Sequence, residues 1–398
     1  MSNSSKFLLI GLFKGLYFFV PILTLFLLNK GITLENVVLS QIFYSIFSFV
    51  GEIPTGYFAD RFGQKIAIVL GYALDAMGII SVFLFPNVVS LYLSYSARGL
   101  AGSFLSGAEE SLLYEICKEE KINYRNKYSG FVANETLGAG ISGIITGLII
   151  QFFGAQSYSW LFWLTFVFVS SCAIIASTLK ISRKFLTEEK SVIFSTIISS
   201  FKKIKSNETI FYLTIATILT LNGEYFLQGV YQPIFESRSV EPIFLGISLS
   251  LGSFLNYLLT KYSYKLEEFL TLDKIILLIN LSSGVFYLIL ALITNPVISV
   301  VTFIMLQGIF NTESPIISDY INMEIPSKVR TTVLSGISFI RSFVQIIVRI
   351  ILGFLVGFVG VANTLTINAI YIILGSFIGY YLLVKCGCVV KVNHQPEE

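Results

Sequence analysis

Histidine is almost absent from this 398-residue chain: His394 stands alone in a polar tail. No imidazole is available to the apolar part of the molecule, so any proton handled there must ride on carboxylates. Cysteine is scarce as well, at four residues, and only Cys386 and Cys388 lie close together. That pair has no histidine or acidic neighbours, which is too few ligands for a structural zinc site, and neither metal nor cofactor is expected. No G-x-x-x-x-G-K-[ST] run occurs, which excludes a nucleotide-driven pump of the P-loop kind. No serine or cysteine stands beside a recognisable base, so an enzyme is not expected. Charge is the largest deficit. Only 13% of residues are charged and the net charge is +3, where soluble domains carry roughly a quarter charged residues. Such a skin cannot be mostly solvated, and no basic arm offers itself to nucleic acid.

What fills the chain instead is hydrocarbon. Hydrophobic residues make up 55% of it and the mean hydropathy is +0.78. The apolar runs are continuous and close to 20 residues long, which reads as membrane-spanning helices and not as the alternating strands of a barrel. Punctuation by polar, proline and glycine residues divides them into twelve spans: 7–28, 37–59, 66–85, 88–116, 128–153, 158–179, 209–235, 243–260, 275–294, 297–321, 331–358 and 363–384. The first span follows Lys6 and is expected to be retained, not cleaved. The expected fold is an all-α polytopic membrane protein with two six-helix bundles.

The bundles are predicted at 1–179 and 208–385, with a basic connector at 180–207 and a tail at 386–398. Lysine and arginine crowd the connector and alternate loops, including Arg61, Lys65, Lys118, Lys121, Arg125 and Lys127, while the opposite loops hold only Lys30 and Arg238. The positive-inside rule then sets both termini in the cytoplasm, in a cell inner membrane. Within the connector, 193–204 is amphipathic and suits a surface helix on anionic lipid. The halves show no sequence repeat strong enough to prove duplication.

Between the second and third spans the chain reads Gly56-Tyr57-Phe58-Ala59-Asp60-Arg61-Phe62-Gly63-Gln64-Lys65. This resembles the G-x-x-x-D-[RK]-x-G-[RQ]-[RK] signature of the major facilitator superfamily, at the expected cytoplasmic loop. Arg98-Gly99-Leu100-Ala101-Gly102 in the fourth span is similar to that family's R-x-x-x-G motif. The lead-in Glu52-Ile53-Pro54-Thr55-Gly56 looks like that of a bacterial efflux or metabolite branch. Two features depart from the pattern. The loop 261–274 lacks the signature, and the fifth span carries Gly138, Gly140, Gly143 and Gly147 without the Gly-Pro core of the antiporter motif, so close helix packing explains those glycines. The resemblance implies a monomeric secondary transporter that works by alternating access on a small solute.

The loop residues read as a gate latch. Gly56 allows close helix approach and Gly63 a tight turn, Asp60 can cap the helix starting near Thr331, and Arg61 can pair with Glu110 or Glu115. Lys65 completes this set. Ionisable residues at hydrocarbon depth need a partner or a task. The cations there are Lys14, Arg98, Arg341 and Arg349; the anions include Glu52, Asp75, Glu109, Glu135, Glu224 and Glu313. Glu52 and Asp75 flank the signature loop and read as packing or gating groups. In the eleventh span Arg341, Gln345 and Arg349 form one polar stripe at i, i+4 and i+8, about 12 Å long. Two guanidinium forks on one face suit an anionic or polycarboxylate solute such as a carboxylate metallophore, with Lys14 and Arg98 adding positive charge. Glu224, Gln228, Tyr231 and Gln232 in the seventh span, and Asn311 and Glu313 in the tenth, would orient that solute. Glu224, Glu109 and Glu135, in that order, are the expected proton carriers. The competing reading is a proton-coupled exporter of lipophilic cations.

Overall fold

A computed structural model describes residues 1–180, 204–205, 207–221, 224–310, 312–324, 327–385 and 387. Among these residues there is no strand. Cys386, Cys388, His394, Asn222, Asn311 and most of the amphipathic stretch 193–204 lie outside them.

The helices are α1 (Asn3–Gly15), α2 (Leu23–Asn29), α3 (Leu34–Phe62), α4 (Gln64–Leu84), α5 (Val88–Leu105), α6 (Ala108–Glu119), α7 (Tyr124–Phe153), α8 (Tyr158–Ser177), α9 (Glu208–Leu219), α10 (Glu224–Ser237), α11 (Phe244–Lys261), α12 (Leu266–Phe269), α13 (Leu272–Leu292), α14 (Pro296–Ile309), α15 (Ser314–Glu324) and α16 (Ser327–Lys385). Their starts follow local chemistry. Side chains of Ser2, Thr33, Asn87, Asn123, Asn207 and Asn295 each accept a bond from a backbone N–H in the first turn, which satisfies donors that a helix start leaves open. Glycines in left-handed conformation end α3 at Gly63 (φ 100°) and α7 at Gly154 (φ 59°), and Gly360 (φ 79°) breaks α16.

The first, fourth, seventh and tenth expected spans are each interrupted. They appear as α1/α2, α5/α6, α9/α10 and α14/α15. The fourth breaks where Gly107 takes φ 68°; the first breaks just before a short 3-10 turn, Val20–Ile22, that carries Pro21. Seven helical stretches among the described residues are long and apolar enough to cross a membrane, and the interruptions account for part of the difference from twelve. Large apolar side chains such as Leu93, Phe152 and Phe358 are exposed, as expected of surfaces that face lipid.

The chain forms two compact units, Met1–Glu188 with Gln228–Leu251, and Glu189–Leu227 with Gly252–Glu398. In the first, Phe19, Phe26, Phe83 and Phe162 stack at centroid distances of 4.7–6.1 Å. The segment 228–251 joins this unit through backbone-level contact: Ser250 donates to the carbonyl of Gly140 at 2.9 Å, and a Cβ on Gly246 would overlap the carbonyl of Gly143. The second unit is built on Ile210, Leu213, Ile276, Ile317, Tyr320 and Ile337.

The two units repeat one another internally. Helices α4 and α13 both have 21 residues. Ala67/Ile275, Ile68/Ile276, Tyr72/Asn280, Asp75/Ser283, Ala76/Gly284, Ile79/Tyr287 and Val82/Leu290 stand at one constant separation in sequence, and all are buried. The same holds beyond the α5/α6 and α14/α15 breaks, where Glu109/Glu313, Leu112/Ile316, Leu113/Ile317, Ile116/Tyr320 and Cys117/Ile321 are buried in step. The repeat is written in burial and not in residue identity, which is why the sequence conceals it.

Candidate functional site

In the first unit a cavity of about 430 Å³ opens beside the α5/α6 break. Five helices, α1, α4, α5, α6 and α7, bring charge to it. Gly15 and Gly138 let α1 and α7 touch through their backbones, since a Cβ on Gly15 would collide with the carbonyl of Glu135. That approach sets Lys14 against Glu135, while the turn at Gly107 aims Glu109 inward from the first turn of α6. The Lys14 Nζ lies 2.9 Å from Glu109 Oε2 and 3.2 Å from Glu135 Oε2. One ammonium therefore serves two carboxylates. The carboxylates are not equivalent: the Glu109 side chain is 9% exposed and that of Glu135 38%. Tyr72 from α4 donates its hydroxyl to Glu109, which leaves Glu135 as the partner that water reaches.

A second pair lies in the same cavity wall. Arg98 Nε bonds Asp75 Oδ1 at 3.0 Å, and Tyr17 donates to the other oxygen of Asp75. The guanidinium sits over the rings of Tyr17, Phe19 and Tyr95 at 5.3–5.8 Å. Gly78 makes room for its stem, because a Cβ there would meet Arg98 Cγ at 2.8 Å. A desolvated charge stays in hydrocarbon only when paired and hydrogen-bonded, and both conditions are met here. Among the described residues no group of three or more His, Cys, Asp or Glu could hold a metal.

Residues 7–272 match the family model of the Major Facilitator Superfamily. The chain belongs to this family. It is 23% identical over 332 residues to the uncharacterized MFS-type transporter YxaM of Bacillus subtilis (strain 168), covering 82% of this chain and 81% of that one. An uncharacterized transporter of Buchnera aphidicola subsp. Baizongia pistaciae (strain Bp) is 26% identical over 280 residues, with 64% and 66% covered. Among solved structures, the nucleoside transporter NupG has a TM-score of 0.77 at 12% identity over 96% of this chain and 99% of its own. A D-xylose-proton symporter has 0.68 at 11%, with 94% and 96% covered. These likenesses show the fold.

The remaining expected site residues of this superfamily member fall in several places. Lys14 and Arg98 were expected to offer free positive charge to an anion; both are engaged by acids. Asp75, expected only to pack or gate, is the partner of Arg98. Tyr231 is buried with its hydroxyl donated to the Leu245 carbonyl at 3.1 Å. Gln228 is half-buried. Arg349 is buried, whereas Arg341 and Gln345 are half-buried. Glu313 accepts from Asn280 Nδ2 at 2.7 Å. The side chain of Glu224 and the whole of Asn311 lie outside the described residues.

The loop residues are placed as follows. Glu52, Gly56, Asp60 and Arg61 are exposed. Arg61 does not take Glu110 or Glu115: it reaches Tyr57 one turn back at 3.5 Å and lies over the Phe62 ring. Glu110 instead accepts from Tyr128 at 2.6 Å, because the turn at Gly107 directs α6 toward α7. Lys65 donates to the carbonyl of Leu179 at 2.7 Å, just beyond α8.

Sequence reasoning missed Tyr72 and Tyr17, whose hydroxyls are invisible among 21 tyrosines. It also misread Gln232. That side chain, 1% exposed, accepts from the backbone N–H groups of Thr24 and Leu25 at 2.8 and 3.2 Å and donates to the Val20 carbonyl at 2.9 Å. It supplies the hydrogen bonds that the break between α1 and α2 removes. Gln232→Leu keeps the volume but strands those groups, each worth about 1–3 kcal/mol when buried and unmet. Thermal unfolding of the purified variant should show a loss of at least about 3 kcal/mol; an unchanged melting temperature would mean that Gln232 is not a clamp.

Proposed function

We propose that the protein is a proton-coupled secondary transporter of a small organic solute, working by alternating access with twelve spans in two bundles (1–179 and 208–385) and both termini in the cytoplasm of an inner membrane. The reading rests on Lys14, one cation held between a buried and a water-reached carboxylate in a solute-sized cavity. Two carboxylates whose oxygens lie 2.9 and 3.2 Å from one ammonium repel by roughly 3 kcal/mol or more at an effective dielectric constant near 20. Lys14 offsets that cost while both are ionised. A proton arriving on Glu135 removes one of its partners, and a second on Glu109 frees the ammonium altogether.

Freed in this way, Lys14 can hold the carboxylate of an anionic or polycarboxylate solute. Protons would then travel with the anion, with Arg341, Gln345 and Arg349 supplying further donors in the second unit. A second reading, a lipophilic cation exchanged for protons, is favoured by one observation: Asp75, Glu109, Glu110 and Glu135 outnumber Lys14 and Arg98 around the cavity.

The two readings differ in the sign of their pH dependence. Thermal stabilisation of the purified protein by citrate or inorganic sulfate should grow as pH falls if the solute is anionic. Stabilisation by tetraphenylphosphonium should grow as pH rises if it is cationic, because ligand binding to the folded state alone raises its stability. Sulfate keeps its charge across this range and so separates protonation of the protein from that of the probe. Citrate and sulfate without effect, beside a strong tetraphenylphosphonium response, would overturn the anionic reading.

A further inference from the structure

The internal repeat points to a second acid site. We propose that Glu313 is a second proton-carrying carboxylate, the counterpart in the second unit of Glu109, with Arg341 at the register place of Glu135. The proposal rests on the proton-coupled reading of Lys14, Glu109 and Glu135 and extends it to another place in the molecule.

Three registers agree. Glu313 follows the end of α14 by the same number of residues as Glu109 follows the end of α5, and each is the buried acid of a helix break. Each accepts a hydrogen bond from the same position of the matched preceding helix: Glu109 from Tyr72 in α4, Glu313 from Asn280 in α13. The third register concerns the partner. Glu135 precedes the left-handed Gly154 by as many residues as Arg341 precedes the left-handed Gly360, so Arg341 occupies in the second unit the place that Glu135 holds in the first. The acid is kept and its neighbour has changed sign.

The surroundings of Glu313 suit a group that gains and loses a proton. Its side chain is buried at 8% exposure. Asn280 gives one neutral hydrogen bond and shares the same nitrogen with the carbonyl of Ile276 at 2.9 Å. Arg341 on α16 is half-buried. Asp273 stands about two turns before Asn280 on α13. One amide and one incompletely buried cation are sparse support for a carboxylate at hydrocarbon depth, where unpaired charge costs several kcal/mol. Uptake of a proton from water by a carboxylate oxygen of Glu313 neutralises the charge that Asn280 Nδ2 supports. The cycle then has two acid sites, one in each unit.

The test needs no solute. Infrared difference spectra of the purified protein, recorded while pH is stepped from mildly alkaline to mildly acidic, show protonated carboxyl groups as C=O stretching bands. Glu313→Gln should remove a pH-dependent band that Glu109→Gln and Glu135→Gln leave in place. Asn280→Ala, which retains Glu313, should move the midpoint of that band. A Glu313→Gln spectrum identical to wild type, or a midpoint unmoved in Asn280→Ala, would overturn the proposal. Failure of the underlying reading looks different: Glu109→Gln and Glu135→Gln would then be the silent variants while the Glu313 band persists.

Discussion

Lys14→Met should destabilise the protein by about 3 kcal/mol at neutral pH. Removing one partner from a buried ion pair costs about 3–5 kcal/mol, mostly because the abandoned charge stays buried. Here two charges are abandoned, Glu109 and Glu135, but the 38% exposure of Glu135 puts the loss near the lower end of that range. The sign of the pH dependence follows from the same geometry. Protons on the two carboxylates remove the uncompensated charge, so the deficit should shrink as pH falls. Adding Glu109→Gln to Lys14→Met should recover much of the lost stability, and the coupling is read from the double-mutant cycle. Denaturant or thermal unfolding of the single and double variants at two pH values checks both statements. A pH-independent loss would mean that Lys14 acts chiefly through its ammonium over the Phe131 ring, 5.3 Å from the centroid, and not as a counter-ion.

The second large effect is expected at the contact of α7 with α11. Gly143 and Gly246 meet with no space for a side chain on either: a Cβ on Gly246 would overlap the Gly143 carbonyl, and one on Gly143 would reach the Gly246 oxygen at 2.7 Å. Gly246→Val must force these helices apart. Overpacking of a filled contact costs about 1–3 kcal/mol, and separation also strains the bonds from Ser250 to Gly140 and from the Ile243 N–H to Gln151. The opening should be visible at Thr24, whose hydroxyl donates to the Gly229 carbonyl at 2.9 Å. A cysteine placed there by Thr24→Cys, with Cys386 and Cys388 replaced by serine, should react slowly with a water-soluble maleimide. In combination with Gly246→Val it should react several-fold faster. Equal rates would show that the glycine contact does not control access to this region.

Much of the architecture was legible in sequence because hydrocarbon imposes a coarse rule: a span needs about 20 apolar residues, and the Gly56–Lys65 loop carries its family signature openly. The interruptions were harder to see. Thr220-Leu221-Asn222-Gly223 and Phe310-Asn311-Thr312-Glu313 contain turn chemistry, yet continuous apolar spans run across both and make Asn311 and Glu313 look like solute ligands. At Leu16–Phe19 the sequence is apolar apart from one tyrosine, so the break shows little local polarity. Pairings were less legible still. Composition identifies Lys14, Asp75, Arg98, Glu109 and Glu135 as buried charges needing partners, but the choice among partners depends on where glycines let backbones touch. Gly15 against α7 and Gly78 against Arg98 make that choice here. The repeat between units is invisible for a related reason: positions in register are buried in both units, but Tyr72 corresponds to Asn280 and Glu135 to Arg341.

The central claim is that protonation of Glu135 and Glu109 controls the availability of Lys14 and thereby drives transport. Its most direct measurement is uptake into proteoliposomes of whichever probe stabilises the purified protein, citrate or tetraphenylphosphonium, with and without an imposed pH gradient. The account predicts that wild type accumulates the probe above equilibrium only under the gradient, and that Glu109→Gln/Glu135→Gln loses accumulation while retaining exchange of probe across the membrane. Gradient-driven accumulation by that double variant at the wild-type level would contradict it.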